Sequence, residues 1–502
     1  MDSFLPFEGP FYSLLILAVD LLIRIGISLR VIMRKRAWSV TVAWLVVILF
    51  IPFAGGICYL LFGENRLPGK RIERAKLSYD TYMFWLQGLK NRAPVNITDI
   101  STRFQPMQRQ AEALVGIPAL GGNCIELLPS PELIINSILS GIESATSTCH
   151  LEFYIWEEGG RIGAVNDAII AAADRGTVCR MLLDSVGSRD FLNSRKAREM
   201  EAAGVHIQAS LPTGILSAFF SRADIRNHRK IVVIDGHTAW TGSQNMVDPD
   251  CFKKDAGVGN WIDVMARITG PVVETLAGTF FSDWFLERER HNLHSSAIMH
   301  DITKAQKAGD IRVLEETGTV PIQFVPSGPG PDPNADTIRN LLLTAIYSAR
   351  ESITLTTPYF IPGEPLLVSL KSVAEQGVKV RIILPRTNDS TMVHYASRAR
   401  WSELLRAGVE LYLFSGGLLH SKTITVDGEL SLFGSVNLDM RSFWLNFEAT
   451  LFIYNRTFTE RLLELQQGYL EQSELLTWET FQKRGTFERF KENVYLLVSP
   501  LL

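Results

Sequence analysis

The stretch that decides the fold is present twice in the sequence. Its first copy is His228-Arg-Lys230-Ile-Val-Val-Ile-Asp235 with Gly242-Ser243-Gln-Asn245 downstream, and its second copy is His420-Ser-Lys422-Thr-Ile-Thr-Val-Asp427 with Gly434-Ser435-Val-Asn437 downstream. Each copy reads H-x-K-x4-D and then G-S-x-N. A single copy on a solvated strand would carry little information, but the shared downstream signature indicates a duplicated functional element.

Both copies have the pattern of a β-hairpin. The residues after each lysine alternate through β-branched positions and end in Asp-Gly, which is typical of a strand that enters a tight turn. Residues 238–241 and 430–433 are predicted to form the returning strands. Because side chains two residues apart lie on one face of a strand, the histidine and lysine of each copy are expected to meet the returning serine and asparagine.

The side chains collected in this way suit a phosphodiester. Imidazole can attack phosphorus or transfer a proton near neutral pH. Ammonium and amide groups can hold phosphate oxygens as negative charge builds up. The displacement needs a nucleophile and an acid for the leaving alkoxide, and each copy supplies one histidine. The simplest arrangement therefore packs the two halves against each other around one shared site.

These residues resemble the double H-x-K-x4-D signature of the phospholipase D superfamily. The resemblance implies that one histidine forms a phosphohistidine while the other protonates the leaving group, and by it His228 is assigned as the nucleophile and His420 as the acid and then the base. The near symmetry of the two copies means that the sequence itself does not separate these roles. The phosphate oxygens would be held by Lys230, Lys422, Asn245 and Asn437, with Ser243 and Ser435 as secondary donors.

Four acidic residues complete the candidate site. Asp263 and Glu448 each precede an apolar strand, and each is predicted to accept the other ring N–H of a motif histidine and so to fix its tautomer. An ordinary carboxylate at a strand edge is the alternative for both. Asp235 and Asp427 belong to the catalytic motifs, although their place in the Asp-Gly turn favours a structural role.

The duplication extends beyond the motifs. Residues 125–130 match 322–327, residues 134–145 match 338–349, and residues 175–183 match 376–384, at offsets of 197 to 204 residues. Each half alternates strands and helices, with a glycine where a helix ends before a strand. We therefore expect an α/β protein with two duplicated domains, whose mixed sheets are covered by helices and packed face to face.

Two apolar stretches precede the duplicated region. Residues 11–29 are apolar apart from Asp20 and Arg24, residues 38–62 contain no charge, and both are long enough to cross a bilayer. They predict a two-helix transmembrane hairpin in which Asp20 and Arg24, one turn apart, can pair; a buried core helix is the alternative for either stretch. Basic residues on both sides leave the orientation open, and the catalytic region is placed on the cytoplasmic face because nothing argues for export.

These features predict a domain order along the chain. The boundaries are a transmembrane hairpin at 1–66, a linker at 67–112, a first phospholipase D-like domain at 113–290, a connector at 291–319 and a second phospholipase D-like domain at 320–502.

Composition argues against several classes of function. A formal net charge of −3 and a pI of about 6.3 provide no basic field for nucleic acid. The five cysteines are scattered without a ligand spacing, so neither a disulfide framework nor a zinc site is predicted. The two motif lysines supply the positive charge that other phosphoryl-transfer sites take from Mg²⁺, so no metal or other cofactor is predicted.

Three further stretches of sequence indicate one family within the superfamily. Leu-Leu-Phe-Gly-Glu64-Asn65-Arg66, Arg226-Asn227-His228-Arg229-Lys230 and Ser-Pro-Leu-Leu502 are similar to bacterial cardiolipin synthases, and this likeness covers nearly the whole chain. It implies a multi-pass protein of the bacterial inner membrane that joins two phosphatidylglycerol molecules into cardiolipin and glycerol, with membrane lipids as its partners. The alternatives are another phospholipase D-type phosphatidyltransferase or hydrolase, a nuclease, and an inactive membrane scaffold. Oligomeric state is left open.

Overall fold

The computed structural model describes residues 8–34, 38–64, 66–212, 222, 224–287, 310–330 and 336–497. The chain divides into two compact units, one of residues 1–69 with 213–225 and one of residues 70–212 with 226–502. Most of the predicted connector, 291–319, lies outside the described residues.

The first unit is helical. Its elements are α1 (Glu8–Met33), α2 (Trp38–Phe50) and α3 (Ala54–Phe62). The second predicted span is divided into α2 and α3 around Pro52, because proline lacks the N–H that would continue the helical ladder. The predicted ion pair between Asp20 and Arg24 is formed along α1. Among the described helices, none combines the length and the apolarity that crossing a membrane requires.

The stretch predicted as a linker is largely helical. It contains α4 (Gly69–Arg92), a 3-10 turn (Ile97–Asp99) and the start of α5 (Gln105–Val115). Leu86 and Leu89 of α4 are buried in an apolar cluster with strands of both halves. Met107 of α5 is buried against the helices of the second half. These residues therefore belong to the core of the second unit.

The first half of the duplication follows the predicted α/β order. Its elements are β1 (Leu120–Leu128), α6 (Pro131–Ser144), β2 (Thr148–Phe153), α7 (Ile162–Asp174), β3 (Val178–Asp184), α8 (Arg189–Leu192), α9 (Arg195–Ala202), β4 (His206–Ser210), β5 (Arg226–Asn227), β6 (Ile231–Ile234), β7 (Thr238–Gly242), a 3-10 turn (Lys254–Ala256), β8 (Trp261–Ile262), β9 (Met265–Thr269) and α10 (Val272–Glu287).

The second half repeats this order and extends it. Its elements are β10 (Val320–Ser327), α11 (Thr337–Ser348), β11 (Ser352–Thr356), α12 (Glu364–Glu375), β12 (Lys379–Pro385), α13 (Thr391–Arg406), β13 (Glu410–Phe414), β14 (Leu418–Leu419), β15 (Thr423–Val426), β16 (Leu430–Gly434), α14 (Met440–Trp444), β17 (Asn446–Ile453), α15 (Arg456–Glu471), β18 (Ser473–Leu476), α16 (Trp478–Phe481) and α17 (Thr486–Leu497).

The mixed sheets of the two halves form one continuous sheet. The strand order is β18-β13-β12-β11-β15-β16-β17-β10-β1-β9-β7-β6-β2-β3-β4, with equivalent strands at equal steps from the antiparallel β10–β1 pair. The sequence predicted that the two sheets pack face to face, and the structure joins them edge to edge at this pair. Facing side chains of both halves, such as Ile231 and Ile268 with Phe433 and Leu451, share one buried cluster. Duplication with twofold pairing explains this symmetry.

The motif hairpins turn as their sequences predict. Asp235 and Gly236 have φ values of 54° and 62°, and Asp427 and Gly428 have φ values of 49° and 68°. Two successive positive φ values are the mark of the type I′ turn that Asp-Gly favours, and three residues separate the paired strand ends, which are Ile234 and Thr238 in the first hairpin. The returning strands β7 and β16 end at the glycine before each motif serine, so the hairpins bring that serine back toward the histidine.

Candidate active site

The motif histidines and lysines lie in short extended segments, not inside the strands that follow them. Residues 228–230 connect β5 to β6, and residues 420–422 connect β14 to β15. β5 pairs with the start of β17 in the second half, where Asn227 is opposite Phe447. β14 pairs with β8 in the first half, where Leu419 is opposite Ile262. Each motif therefore pairs with the opposite half before its histidine and with its own sheet after its lysine.

This crossing gives each histidine a carboxylate from the other half. His228 Nδ1 lies 2.8 Å from Glu448 Oε2, and His420 Nδ1 lies 2.7 Å from Asp263 Oδ1. All four side chains are buried. The sequence predicted both carboxylates as histidine partners, and the structure makes both contacts. It did not predict that the pairs cross between halves, because the crossing depends on the β5–β17 and β8–β14 pairings.

Burial sets the protonation of these pairs. It lowers the pKa of both imidazoles to about 4, against the attraction of their carboxylates. Burial would raise the pKa of the carboxyls, but attraction to the partner histidines outweighs it, so the pKa of Asp263 falls to about 2 and that of Glu448 is also lowered. At neutral pH a neutral imidazole therefore donates Nδ1–H to an ionised carboxylate, which leaves a lone pair on Nε2.

Two buried lysines accompany the histidines. Lys230 Nζ donates to the carbonyl of His228 at 2.7 Å, and Lys422 Nζ donates in the same way to the carbonyl of His420. Burial lowers the pKa of Lys230 to about 7 and that of Lys422 to about 8. Lys422 also lowers the pKa of His228, and Lys230 that of His420, so the two motifs act on each other within one site.

The motif serines face the carboxylates. Ser243 Oγ donates to Asp263 Oδ1 at 2.6 Å, and Ser435 Oγ donates to Glu448. We predicted these hydroxyls as secondary phosphate donors. A hydroxyl has one hydrogen to donate, so in this structure the serines position the carboxylates behind the histidines.

The motif asparagines differ between the halves. Asn245 Oδ1 accepts the backbone N–H of Ile155 at 3.2 Å, in the segment that follows β2. Asn437 is buried, and its Oδ1 has no hydrogen-bond partner within the described residues. As for metals, no three His, Cys, Asp or Glu side chains of the described ranges are grouped as ligands of an ion would be.

The motif aspartates lie at the far ends of the hairpins. Asp235 accepts the backbone N–H groups of Thr146, Ser147 and Thr148, at 2.8 Å from the last of these. Asp427 accepts the backbone N–H groups of residues 350–352 in the second half. The structure therefore places both aspartates as ties between the hairpin turn and the start of a neighbouring strand, the structural role that their Asp-Gly position favoured.

Aromatic rings that the sequence analysis missed enclose the imidazoles. Tyr154 meets His228 edge-on at 5.1 Å between ring centroids, while Trp261 and Tyr359 lie 4.4 Å and 6.5 Å from His420. Tyr154 and Tyr359 follow the equivalent strands β2 and β11. The internal repeat would have identified these two tyrosines, because they occupy nearly equivalent positions in the two halves.

Comparison with known proteins agrees with this geometry. A family profile described as "Cardiolipin synthase, PLD-like domain" matches residues 138–258 and 342–467, one segment in each half. A profile described as "Phospholipase D-nuclease N-terminal" matches residues 16–64. The crystal structure of phosphatidylserine synthase from Haemophilus influenzae Rd KW20 aligns with a TM-score of 0.59 at 16% identity, covering 79% of this chain and 100% of that chain, which shows a shared fold.

Full-length relatives are also similar. Cardiolipin synthase A of Yersinia pseudotuberculosis serotype O:1b (strain IP 31758) is 43% identical over 478 residues, which are 95% of this chain and 96% of the relative. Cardiolipin synthase A of Yersinia pestis matches with the same identity and coverage. With both halves of the duplication matched and both motif sites complete, the chain belongs to the cardiolipin synthase family of the phospholipase D superfamily.

Proposed function

We propose that the protein is a phosphatidyltransferase that joins two phosphatidylglycerol molecules into cardiolipin and releases glycerol. The observation that carries the proposal is the pair of buried imidazoles, each oriented by a carboxylate of the opposite half and accompanied by a buried lysine. The names of the relatives support the choice of lipid substrate.

In the first step, Nε2 of His228 attacks the phosphorus of one phosphatidylglycerol. An N–P bond forms, the P–O bond to the headgroup glycerol breaks, and the departing alkoxide takes a proton from His420. Burial alone disfavours a protonated His420, but the negative charge of the bound phosphodiester raises its pKa again. The phosphorylated ring of His228 is cationic, and the Glu448 carboxylate behind it stabilises this charge.

In the second step, a hydroxyl of another phosphatidylglycerol gives its proton to His420 and attacks the same phosphorus. The N–P bond breaks, cardiolipin leaves, and His228 returns to its neutral form. Lys230, Lys422 and the two motif asparagines are proposed to hold the phosphate oxygens throughout, because their charge and N–H donors favour the developing negative charge.

Other reactions of the superfamily would use the same residues. Hydrolysis replaces the second lipid with water, and another phosphatidyltransferase replaces it with another alcohol. The deciding experiment incubates the purified full chain with phosphatidylglycerol vesicles in buffer that contains a metal chelator, followed by lipid analysis. Cardiolipin and glycerol in equal amounts support the proposal. Phosphatidic acid as the main product indicates a hydrolase, and unchanged lipid indicates a scaffold without turnover.

We place the first unit in the bacterial inner membrane as a two-helix hairpin, with the catalytic region on the cytoplasmic face. The described helices do not individually meet the requirements of a span. The proposal rests on exposed apolar side chains of α1 and α2, which include Leu14, Leu17, Leu22 and Phe50. Soluble surfaces rarely expose so many together. Resistance of the membrane-bound protein to alkaline extraction supports insertion, whereas release would show a peripheral attachment.

A further inference from the structure

The last described helix has an apolar face that the proposed reaction does not use. On α17 the side chains of Phe487, Phe490, Val494 and Leu497 are 71%, 63%, 42% and 81% exposed. Spacings of three and four residues place these four side chains along one side of the helix. A continuous apolar stripe of this kind on a surface indicates contact with a partner or a membrane.

The opposite side of α17 fixes this orientation. Glu492 is buried and accepts from Arg398 Nε at 3.0 Å and from Arg484 Nε at 2.9 Å. The ring of Tyr495 stacks on Tyr395 of α13 at 5.3 Å between centroids. Charge-assisted hydrogen bonds to a buried carboxylate are strong and directional. The apolar stripe is therefore held outward by specific contacts on the inner side.

The helix on which α17 packs is α13, and α13 begins at the edge of the active site. Tyr359, whose ring is 6.5 Å from that of His420, donates its hydroxyl to Asp389 at 2.8 Å. Asp389 lies two residues before α13, on which α17 packs. The stripe is thus connected to the second motif histidine through one loop and one helix of the same compact unit.

Cations border the stripe. At 100° per residue, Lys491 lies on one side of it and Arg489 on the other, and the exposed Lys483 precedes the helix. On the helix itself, Glu488 pairs with Lys491, which offsets the charge of that lysine, and the buried Glu492 pairs with two arginines, so Arg489 and Lys483 are the cations that remain beside the stripe. Aromatic and aliphatic side chains bordered by cations are typical of a helix that lies in the interface of an anionic bilayer.

We propose that the apolar face of α17 docks on an anionic membrane surface and holds the catalytic unit against the bilayer from which its lipid substrates enter. The anionic character of that bilayer rests on the proposed function, since phosphatidylglycerol is an anionic lipid. The apolar contact itself does not depend on which reaction follows.

The test uses the full chain reconstituted in vesicles of phosphatidylglycerol and phosphatidylcholine that contain a lipid with a photoactivatable acyl chain. After irradiation, mass spectrometry locates labelled peptides. We expect lipid adducts on the peptides of α17. The double variant Phe487→Ser/Phe490→Ser should reduce this labelling roughly tenfold or more, given the apolar area removed. The control Leu133→Ser, a single apolar-to-polar change at a residue that is 50% exposed on α6, should leave this labelling unchanged.

A second measurement separates docking from chemistry. Cleavage of bis(4-nitrophenyl) phosphate, a soluble diester, should be the same in the double variant and the unchanged protein, while turnover of lipid in vesicles falls. Labelling confined to the first unit would overturn the proposal. Cross-linking of α17 to a second copy of the chain, in place of lipid, would also overturn it. Labelled α17 in vesicles that yield no cardiolipin would sink the proposed function and support the docking.

Discussion

A carboxylate of the opposite half decides which ring nitrogen of each histidine carries the proton. Glu448→Gln keeps the shape but loses the charge that stabilises a cationic His228, so we expect kcat/KM to fall by roughly 10²–10⁴. Asp263→Asn should lower kcat/KM as much with phosphatidylglycerol. With a nitrophenyl donor, whose leaving group needs no acid, it should slow the first step less. Burst kinetics with both donors measures this. A reversed pattern would exchange the roles of the two histidines.

We expect the buried lysines to make the empty site less stable than an apolar one would be, because burial disfavours their charged form. The pKa of Lys230 is about 7 in the folded chain, below its ordinary value of about 10.4. Between these values the unfolded chain holds a proton that the folded chain lacks, so this lysine opposes folding most below about pH 7, and its opposition becomes smaller as pH rises toward the ordinary pKa. Lys230→Met should therefore abolish lipid turnover while unfolding at an equal or higher temperature at pH 6.

Thermal unfolding at pH 6 and pH 9 tests this sign, with Lys379→Met as the matched control because Lys379 is half-exposed. The gain of the Lys230 variant over the unchanged protein should be larger at pH 6 than at pH 9. A lower unfolding temperature at pH 6 would mean that the lysine stabilises the empty site.

At the scale of the element, the hydrogen bonds that Asp235 makes from the hairpin turn should stabilise the fold without taking part in the reaction. Asp235 accepts three successive backbone N–H groups, and these hydrogen bonds hold its pKa at about 2 although burial would raise it. Asp235→Ala should cost about 2–4 kcal/mol of unfolding free energy, while kcat of the folded enzyme changes little. The unchanged protein should lose this contribution as pH falls from about 4 toward 2.

Chemical denaturation of both proteins at pH 7 and pH 3 measures that loss, and the difference between their free energies of unfolding should be smaller at pH 3. A fall in kcat of more than about a hundredfold in fully folded Asp235→Ala, which corresponds to about 2.7 kcal/mol of activation free energy, would instead give this aspartate a direct part in the reaction.

The elements also show what the sequence can predict. The hairpins rest on local signals, since Asp-Gly specifies the turn and β-branched residues specify the strand. The crossing strands give no such signal. β5 and β14 are two residues long, and the contact they create between His228 and Glu448 joins positions 220 residues apart. The contacts of the motif serines with the carboxylates were not predicted for the same reason, because these partners are brought together only when β7 pairs with β9 and β16 pairs with β17.

At the scale of the whole molecule, we propose that the first compact unit is an anchor and that it is separable from catalysis. We propose a boundary near Lys70, since residues 70–212 and 226–502 form one compact unit. A protein that begins there should fold, as judged by its circular dichroism and a single unfolding transition, and should cleave a soluble diester at a rate close to that of the full chain. Its turnover of lipid should fall. An unfolded product under all conditions would show that the first unit belongs to the core.

Replacing each motif histidine should affect the reaction differently, because only one of the two forms a bond to phosphorus. With a phosphatidyl donor that carries a nitrophenyl leaving group, His420→Ala should still be labelled on His228, since nitrophenolate departs without an acid. The adduct should then accumulate, because no imidazole remains to activate the acceptor hydroxyl, and mass spectrometry should find it on the peptide with Asn227-His228-Arg229. His228→Ala should remain unlabelled. An adduct on His420 would exchange the two roles within the same site, and no adduct, where the unchanged protein consumes the donor, would contradict a two-step reaction.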